Sequence, residues 1–434
     1  MDETDPRGAT ELARLASFPN LRRMLILWCQ QDELVAIAQL TSLRSLALAN
    51  APPSPGSYIL PRLDCLSNLH RLEELHILDH DIPDALTALT ALTSLHWRSA
   101  SEATAAASFA TLCRLSTLES INISSEHVPS AALAHLSRLT RLSWLDASVG
   151  VMDTRLLRPL TNLTHLRTAS LSIACHTCLS GLRELHVGRA DASDGWVAML
   201  PRLTALTMLQ FDARLDCSLL PIIAQLPALR SLTCGLCHDD LDMHHLSSLT
   251  ALTALDVSHS VNFFTVATAL AHVAGLTALR QLRIRNCRGH LLFPNDPPAP
   301  PPVSRTAAHL AGLAHLELLD LRSTEIAYEV LLLALPRMQR LHTLYFSGSR
   351  DAFISGAERD VAIERDISLL TQLTALRFLG VSERFVAKPA HVAALLQMPS
   401  LQSLKIRYLT DPESELPLVD DVLFASHGWR EVEV

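Results

Sequence analysis

The sequence predicts an α/β solenoid: one curved stack of about sixteen short repeats, with their strands in a parallel inner sheet. Three observations predict it. The first is spacing. In Leu246–Ser260 (LSSLTALTALDVSHS) leucines stand at 246, 249, 252 and 255, and Val257 follows with one residue between. Four leucines three apart drift about 180° around an α-helix, so any helix here is short. The second is the closing step of two, which is strand alternation and breaks a heptad coiled coil each time it occurs. The third is recurrence. The first strand position of the unit is read at Met24, Leu46, Leu75, Leu95, Ile121, Leu145, Ala169, Leu185, Leu209, Leu232, Leu255, Leu282, Leu319, Leu344, Leu379 and Leu404. From 24 to 404 is 380 residues over 15 intervals, about 25 per repeat. A unit that small cannot bury its apolar face alone; stacking on neighbours does so.

From roughly residue 12 to residue 409 this pattern resembles the leucine-rich-repeat family. The Leu86-Thr-Ala-Leu89-Thr-Ala-Leu92 phrasing looks like the short regular repeats of internalin-like arrays. The resemblance implies a horseshoe that binds other molecules on its inner face. One departure stands out. The family places Asn or Cys three residues after the second strand leucine. Here that position holds Cys29, Cys237 and Cys287, but also His80, Ala100, Gly150, Ser260 and Arg384. Without an asparagine ladder, an irregular convex side is expected. The interval from 169 to 185 is only 16 residues, so a truncated repeat or a displaced register is expected there.

Taken in order, residues 1–9 read as a polar arm, with Thr10 as a cap for the first approach helix. The solenoid follows over 10–290, and Ala51–Gly56 lengthens its second interval. Residues 291–305 form an insertion with six prolines in the ten positions 294–303, which excludes helix and favours an extended segment. The array resumes over 306–409 with a mixed-charge insertion at 347–366. Residues 410–434 are expected to cap it, with LVDDVLFAS as a short helix, Gly428 ending it and Trp429–Val434 as a closing strand.

Composition narrows the function. The chain is 49% hydrophobic and 5% aromatic, so its core is leucine and alanine. A net charge of −8 argues against bulk attraction to nucleic acid. Only Lys388 and Lys405 accompany the arginines, which reads as coding bias. No secretory signal or apolar run of spanning length is visible, and nine cysteines in no regular framework fit a reducing compartment. Asn122-Ile-Ser124 and Asn162-Leu-Thr164 match the glycosylation sequon by accident on that reading. A cytoplasmic monomer is expected.

Candidate chemistry is sparse. Cys175/Cys178 and Cys234/Cys237 suggest a zinc pair, but the repeat register makes Cys234 and Cys237 core residues and sets the pairs about three repeats apart. The Cys237–His245 stretch (CHDDLDMHH) and His76, Asp79, His80, Asp81 and Asp84 read as polar connectors in which an Asp caps the next turn. Walker, GxGxxG, GxSxG and HExxH signals are absent. No metal, no cofactor and no enzymatic activity are expected.

The informative column is the residue between the two apolar strand positions, which points away from the core. It runs Leu25, Ala47, His76, His96, Asn122, Asp146, Ser170, His186, Gln210, Thr233, Asp256, Arg283, Asp320, Tyr345, Gly380, Lys405. The next outward column includes Arg285, Arg322 and Arg407. The C-terminal third therefore gathers Arg283, Arg285, Asp320, Arg322, Tyr345, Lys405, Arg407 and Tyr408. Arg and Tyr are enriched in binding hot spots. The expectation is a non-enzymatic scaffold or adaptor that docks an acidic or phosphorylated protein segment there. The family resemblance keeps three other roles open: the recognition subunit of a ubiquitin ligase, with an F-box-like segment supplied by a partner chain; a regulator of a phosphatase or small GTPase; and a surface recognition protein with a leader upstream.

Overall fold

A computed structural model describes residues 18, 20–27, 30–49, 62–99, 102–124, 128, 131–172, 179–189, 195–237, 240–260, 266–285, 287, 302–322, 324, 328–347, 370–387, 389–408 and 419–425. The expected arm, both insertions apart from their edges, Thr10 and the 429–434 strand lie outside them. The chain forms two compact units, Met1–Arg189 with Ser193–Leu206, and Ala190–Ala192 with Thr207–Val434.

In the first unit eight strands pair in sequence order, all parallel: β1 (Arg23–Ile26), β2 (Ser45–Ala49), β3 (Glu74–Leu78), β4 (Ser94–Arg98), β5 (Ser120–Ile123), β6 (Trp144–Asp153), β7 (His165–Ser172) and β8 (Glu184–Val187). The second unit repeats the plan with β9 (Met208–Asp216), β10 (Ser231–Cys237), β11 (Ala254–Asp256), β12 (Gln281–Arg283), β13 (Leu318–Leu321), β14 (Thr343–Ser347), β15 (Phe378–Ala387) and β16 (Ser403–Tyr408). Parallel neighbours need a crossover. Among the described residues most crossovers carry a short helix, 3-10 at Leu63–Asn68, Asp84–Ala88 and Ala132–Arg138, and α at Glu102–Leu112, Val266–Val273 and Val303–Gly312. Each unit is thus a leucine-rich-repeat α/β solenoid.

The step of three finds its explanation in the backbone. A 3-10 turn has three residues, so L-x-x-L stacks on one side instead of drifting. The Leu69 and Leu72 amides donate to the Leu66 and Leu69 carbonyls at 2.9 Å, and Leu249 and Leu252 do the same to Leu246 and Leu249 at 3.1 and 2.9 Å. The same steps recur at Leu89/Leu92, Leu139/Leu142, Leu203/Leu206 and Leu313/Leu316. All of these leucines are buried. The repeats are then locked to one another at strand entry, where two successive amides share one carbonyl of the preceding repeat. Glu73 and Glu74 donate to Arg44, and Glu317 and Leu318 to Arg280, at 2.7–2.9 Å.

Fifteen of the sixteen expected first strand positions lie in one register across their units; the seventh does not. Leu145 pairs with Leu166, and Leu166 with Leu185, so Leu166 replaces Ala169 and the intervals become 21 and 19 residues. The repeat is not truncated. Its second apolar position is the buried Thr168, which hides the motif. The strand also continues past it, so the buried Leu171, paired with Met152, imitates the pattern one turn late.

The missing asparagine ladder is partly rebuilt with smaller groups. Ser260 Oγ accepts from the Leu236 amide of the preceding repeat at 3.0 Å and donates to the Val257 carbonyl at 2.6 Å. In the next repeat Cys287 Sγ donates to the same Val257 carbonyl at 3.3 Å. Thr324 Oγ1 follows, on Leu321 at 2.6 Å. In the first unit the ladder position of β3 holds the buried His80, whose carbonyl accepts from Trp97 Nε1 at 2.9 Å. These contacts pair backbone groups that burial would otherwise leave unmet.

At the C-terminal end the expected helix is a strand. β17 (Val419–Ala425) pairs antiparallel with β16, Leu404 opposite Phe424 and Lys405 opposite Leu423. The last strand of a repeat array offers unmet backbone donors and acceptors, and an apolar segment satisfies them best extended.

Candidate partner-binding face

In the second unit the leucine columns face the core, so the intervening residues of β11 to β16 stand together on the opposite face. Asp256, Arg283, Asp320, Tyr345, Gly380 and Lys405 are register partners in that order. Arg285 and Arg322 lie two residues beyond Arg283 and Asp320, in the turns that follow β12 and β13.

The cations are not simply presented to solvent. Asp320 is 1% exposed, and its carboxylate takes a two-pronged contact from Arg322, with Nε at 3.0 Å from Oδ1 and Nη2 at 2.7 Å from Oδ2. It also accepts from the Arg322 amide at 3.2 Å. Arg285 bridges two repeats, its Nε 3.6 Å from Asp320 and its Nη2 3.6 Å from Asp256. Ser258 Oγ receives both the Arg285 amide, at 3.1 Å, and Nε, at 3.3 Å. The Ser258 amide donates in turn to Asp256 at 3.0 Å. Buried Asp320 and partly buried Asp256 thus sit beneath the arginines and orient them, because a guanidinium and a carboxylate match edge to edge. Two acids against four bases, Arg283, Arg285, Arg322 and Lys405, leave the patch cationic. Arg283 donates instead to a neutral acceptor, Gln281 Oε1 at 3.3 Å.

Tyr345 is placed by its neighbours. The Arg322 guanidinium carbon lies 4.7 Å from the ring centroid, within cation–π range. On the other side a Cβ added at Gly380 would collide with ring carbons Cδ1 and Cε1. The ring therefore lies flat across β15, in space that only glycine leaves open. Phe378, two residues before Gly380 on the same face, is 42% exposed. Sequence reasoning missed it. Period two also turns the residue before the first strand leucine outward, and only the two later columns were counted.

Two expected members are placed differently. β15 shifts register between Val381 and Val386, so Arg407 pairs with Val386 and not with Ser382. Tyr408 pairs with Ala387 and has the parity of Leu404, the leucine column. The side chains of both lie outside the described residues.

The equivalent face of the first unit is different in kind. His76 and His96 are register partners with ring centroids 5.4 Å apart. His76 Nε2 lies 3.0 Å from Glu74, whose carboxyl is held below the usual range first by that contact. Burial, and then the neighbouring His76, lower the His96 pKa. Further along, buried Asp146 accepts from Asn122 at 3.3 Å and lies 3.8 Å from Arg167. Arg167, and not Ser170, occupies the outward column of β7; it was lost with the Ala169 register.

Among the described residues no group of three or more His, Cys, Asp or Glu is arranged to hold an ion. Cys234 is buried in the core as its register position requires, and burial raises its thiol pKa far above the ordinary value. Cys175, Cys178, His238 and Asp239 lie outside the described residues. Among those residues no helix is long and apolar enough to cross a membrane.

No family model matches the chain, and no curated protein matches it. Solved structures do. An internalin, InlF from Listeria monocytogenes, is 19% identical over 87% of this chain and 94% of its own, with a TM-score of 0.44. The functional domain of InlJ from Listeria monocytogenes, which includes a cysteine ladder, is 15% identical over 80% of this chain and 66% of its own, with a TM-score of 0.37. The repeat architecture stands on the strand register above, independently of both.

Proposed function

We propose that this protein is a non-enzymatic binding scaffold and that the exposed sheet face of its second unit docks an acidic or phosphorylated segment of a partner protein. The carrying observation is the pair of arginines, Arg285 and Arg322, held by buried Asp320 and partly buried Asp256. Orienting side chains before a partner arrives lowers the entropy lost on binding. A guanidinium row held in this way is oriented for a further carboxylate or a phosphate, because Asp320 fixes the plane of the Arg322 guanidinium through Nε and Nη2.

The test must avoid residues that hold the fold. Arg322→Glu would set a glutamate against buried Asp320 and report unfolding. Arg283→Glu/Lys405→Glu reverses charge while sparing the Asp320 cluster. The full chain and this variant, matched by circular dichroism, are compared by affinity capture from the native cell with mass spectrometry. Loss of a partner with the double variant alone supports the reading. An unchanged partner set refutes it, and the face is then solvated surface.

A further inference from the structure

The Tyr345–Phe378 neighbourhood adds a second requirement to the partner, resting on the reading just given. Most of this face is small or charged, yet two aromatic residues, Tyr345 and Phe378, gather at one place. Thr343 and Phe378 are register partners in the column before the first leucine, as Tyr345 and Gly380 are in the next. Tyr345 lies across Gly380, one register step from Phe378's end of β15. Strand geometry puts positions two apart about 6.6 Å from each other, one side-chain width. Phe378, at 42% exposure, is among the few large apolar side chains left in solvent. Nothing on the core side accounts for it, since its neighbour Leu379 already fills the leucine column at 1% exposure.

Around this spot the charge is positive. Arg322 stacks on Tyr345, Lys405 is the register partner of Gly380, and Arg283 stands two strands from Tyr345. The acids that hold Arg285 and Arg322 are largely withdrawn from solvent, Asp320 at 1% exposure and the Asp256 side chain at 16%. An apolar centre with a charged rim is the usual plan of an interface hot spot. We infer that the partner segment carries one large apolar residue within a run of carboxylates. That residue seats on Tyr345 and Phe378, and its acidic neighbours face Arg283 and Lys405. Charge complementarity selects the acidic flank, and the exposed rings select the anchor. Gly380 is then a specificity element, because any side chain there would lift the Tyr345 ring off the sheet.

The experiment uses the full chain and a randomised peptide library displayed on phage. Selected peptides are labelled and titrated by fluorescence anisotropy, beside copies with the anchor changed to alanine and beside an oligothymidylate. The expected peptides are acidic with one aromatic or branched aliphatic residue. Phe378→Ser, at an exposed site, should weaken the anchored peptide about tenfold, the effect of leaving one such side chain unburied. It should leave the alanine copy unchanged, and Arg283→Glu should weaken both. Gly380→Val should reproduce the Phe378→Ser pattern by displacing Tyr345. If acidic peptides bind with no anchor preference and Phe378→Ser changes nothing, the anchor is refuted while the acidic-segment reading stands. If no acidic class is enriched, or the oligothymidylate competes at this face with the tighter affinity, both fall.

Discussion

Replacing Asp320 by asparagine tests whether the arginine row is held in place or merely drawn near. The side chain is 2% exposed and bonds Arg322 at 3.0 and 2.7 Å, with Arg285 at 3.6 Å. Asparagine keeps one acceptor and turns an amine toward the guanidinium. One charge-assisted hydrogen bond is lost, about 1.5–3 kcal/mol. The more distant Arg285 contact adds roughly 0.5 kcal/mol, since that arginine is 36% exposed and screened by water. Losing one partner of a fully buried pair can destabilise by about 3–5 kcal/mol, but the solvent access of both arginines keeps the figure lower, near 2–3 kcal/mol. Half-buried Glu317, whose partner Arg280 is exposed, is the control. Its pair with Arg280 is as short, 2.9 Å, with side chains 58% and 34% exposed, so Glu317→Gln should change stability by less than about 1 kcal/mol. Urea unfolding followed by far-ultraviolet circular dichroism reads both. With a slope of about 2–3 kcal/mol per molar, the midpoint should fall about 1 M for Asp320→Asn and hardly at all for Glu317→Gln. Equal, small shifts would refute the reasoning: Asp320 would then be one more surface ion pair, and the arginines would be unanchored.

Other expectations follow from the core and the ladder. Leu252→Ala, at a fully buried 3-10 position, should destabilise by about 2–5 kcal/mol in the same urea assay, with no effect beyond 0.5 kcal/mol from the half-buried neighbour change Thr253→Ser. Cys287 has its thiol pushed up to about 11 by burial, so native protein at pH 8 should alkylate at half-buried Cys65 and leave Cys287 unlabelled by mass spectrometry until urea is added. Cys287→Ser should be tolerated because it keeps a donor to Val257, and Cys287→Val should cost less than about 1 kcal/mol, because Ser260 Oγ still donates to that carbonyl. His80 is held below its ordinary value of 6.5 by desolvation, with Asp79 and Asp81 opposing. The folded state then binds fewer protons, so the stability it contributes is complete above 6.5 and is lost as pH falls through the depressed pKa. Thermal melts from pH 7 to pH 5 should therefore slope downward for the native chain and less steeply for His80→Asn; equal slopes would exclude His80 as the cause.

The sequence alone determined the repeat, its period and which residues face the core. A leucine every third residue and a step of two are local facts, and steric and hydrogen-bonding rules act on them residue by residue. For that reason Leu246–Val257 announces a helical turn and a strand without any knowledge of the rest of the chain, and Arg283, Asp320, Tyr345 and Lys405 could be assigned to one face. Where the motif was blurred the reading slipped: Thr168 in a leucine position hid Leu166, and Arg167 disappeared with it. The LVDDVLFAS tail predicts a helix by its own residues and is a strand over 419–425, because its partner, the open edge of β16, is set by the preceding repeats. Only the tertiary structure decided how the face is charged. Columns of letters show five cations, but pairing is a matter of distance and burial, and Asp320 sits beneath Arg322 and near Arg285 at separations that depend on strand register and side-chain packing. The flat Tyr345 ring likewise exists because Gly380 lies opposite it, 35 residues on in the chain, a neighbour that the register of β14 and β15 supplies.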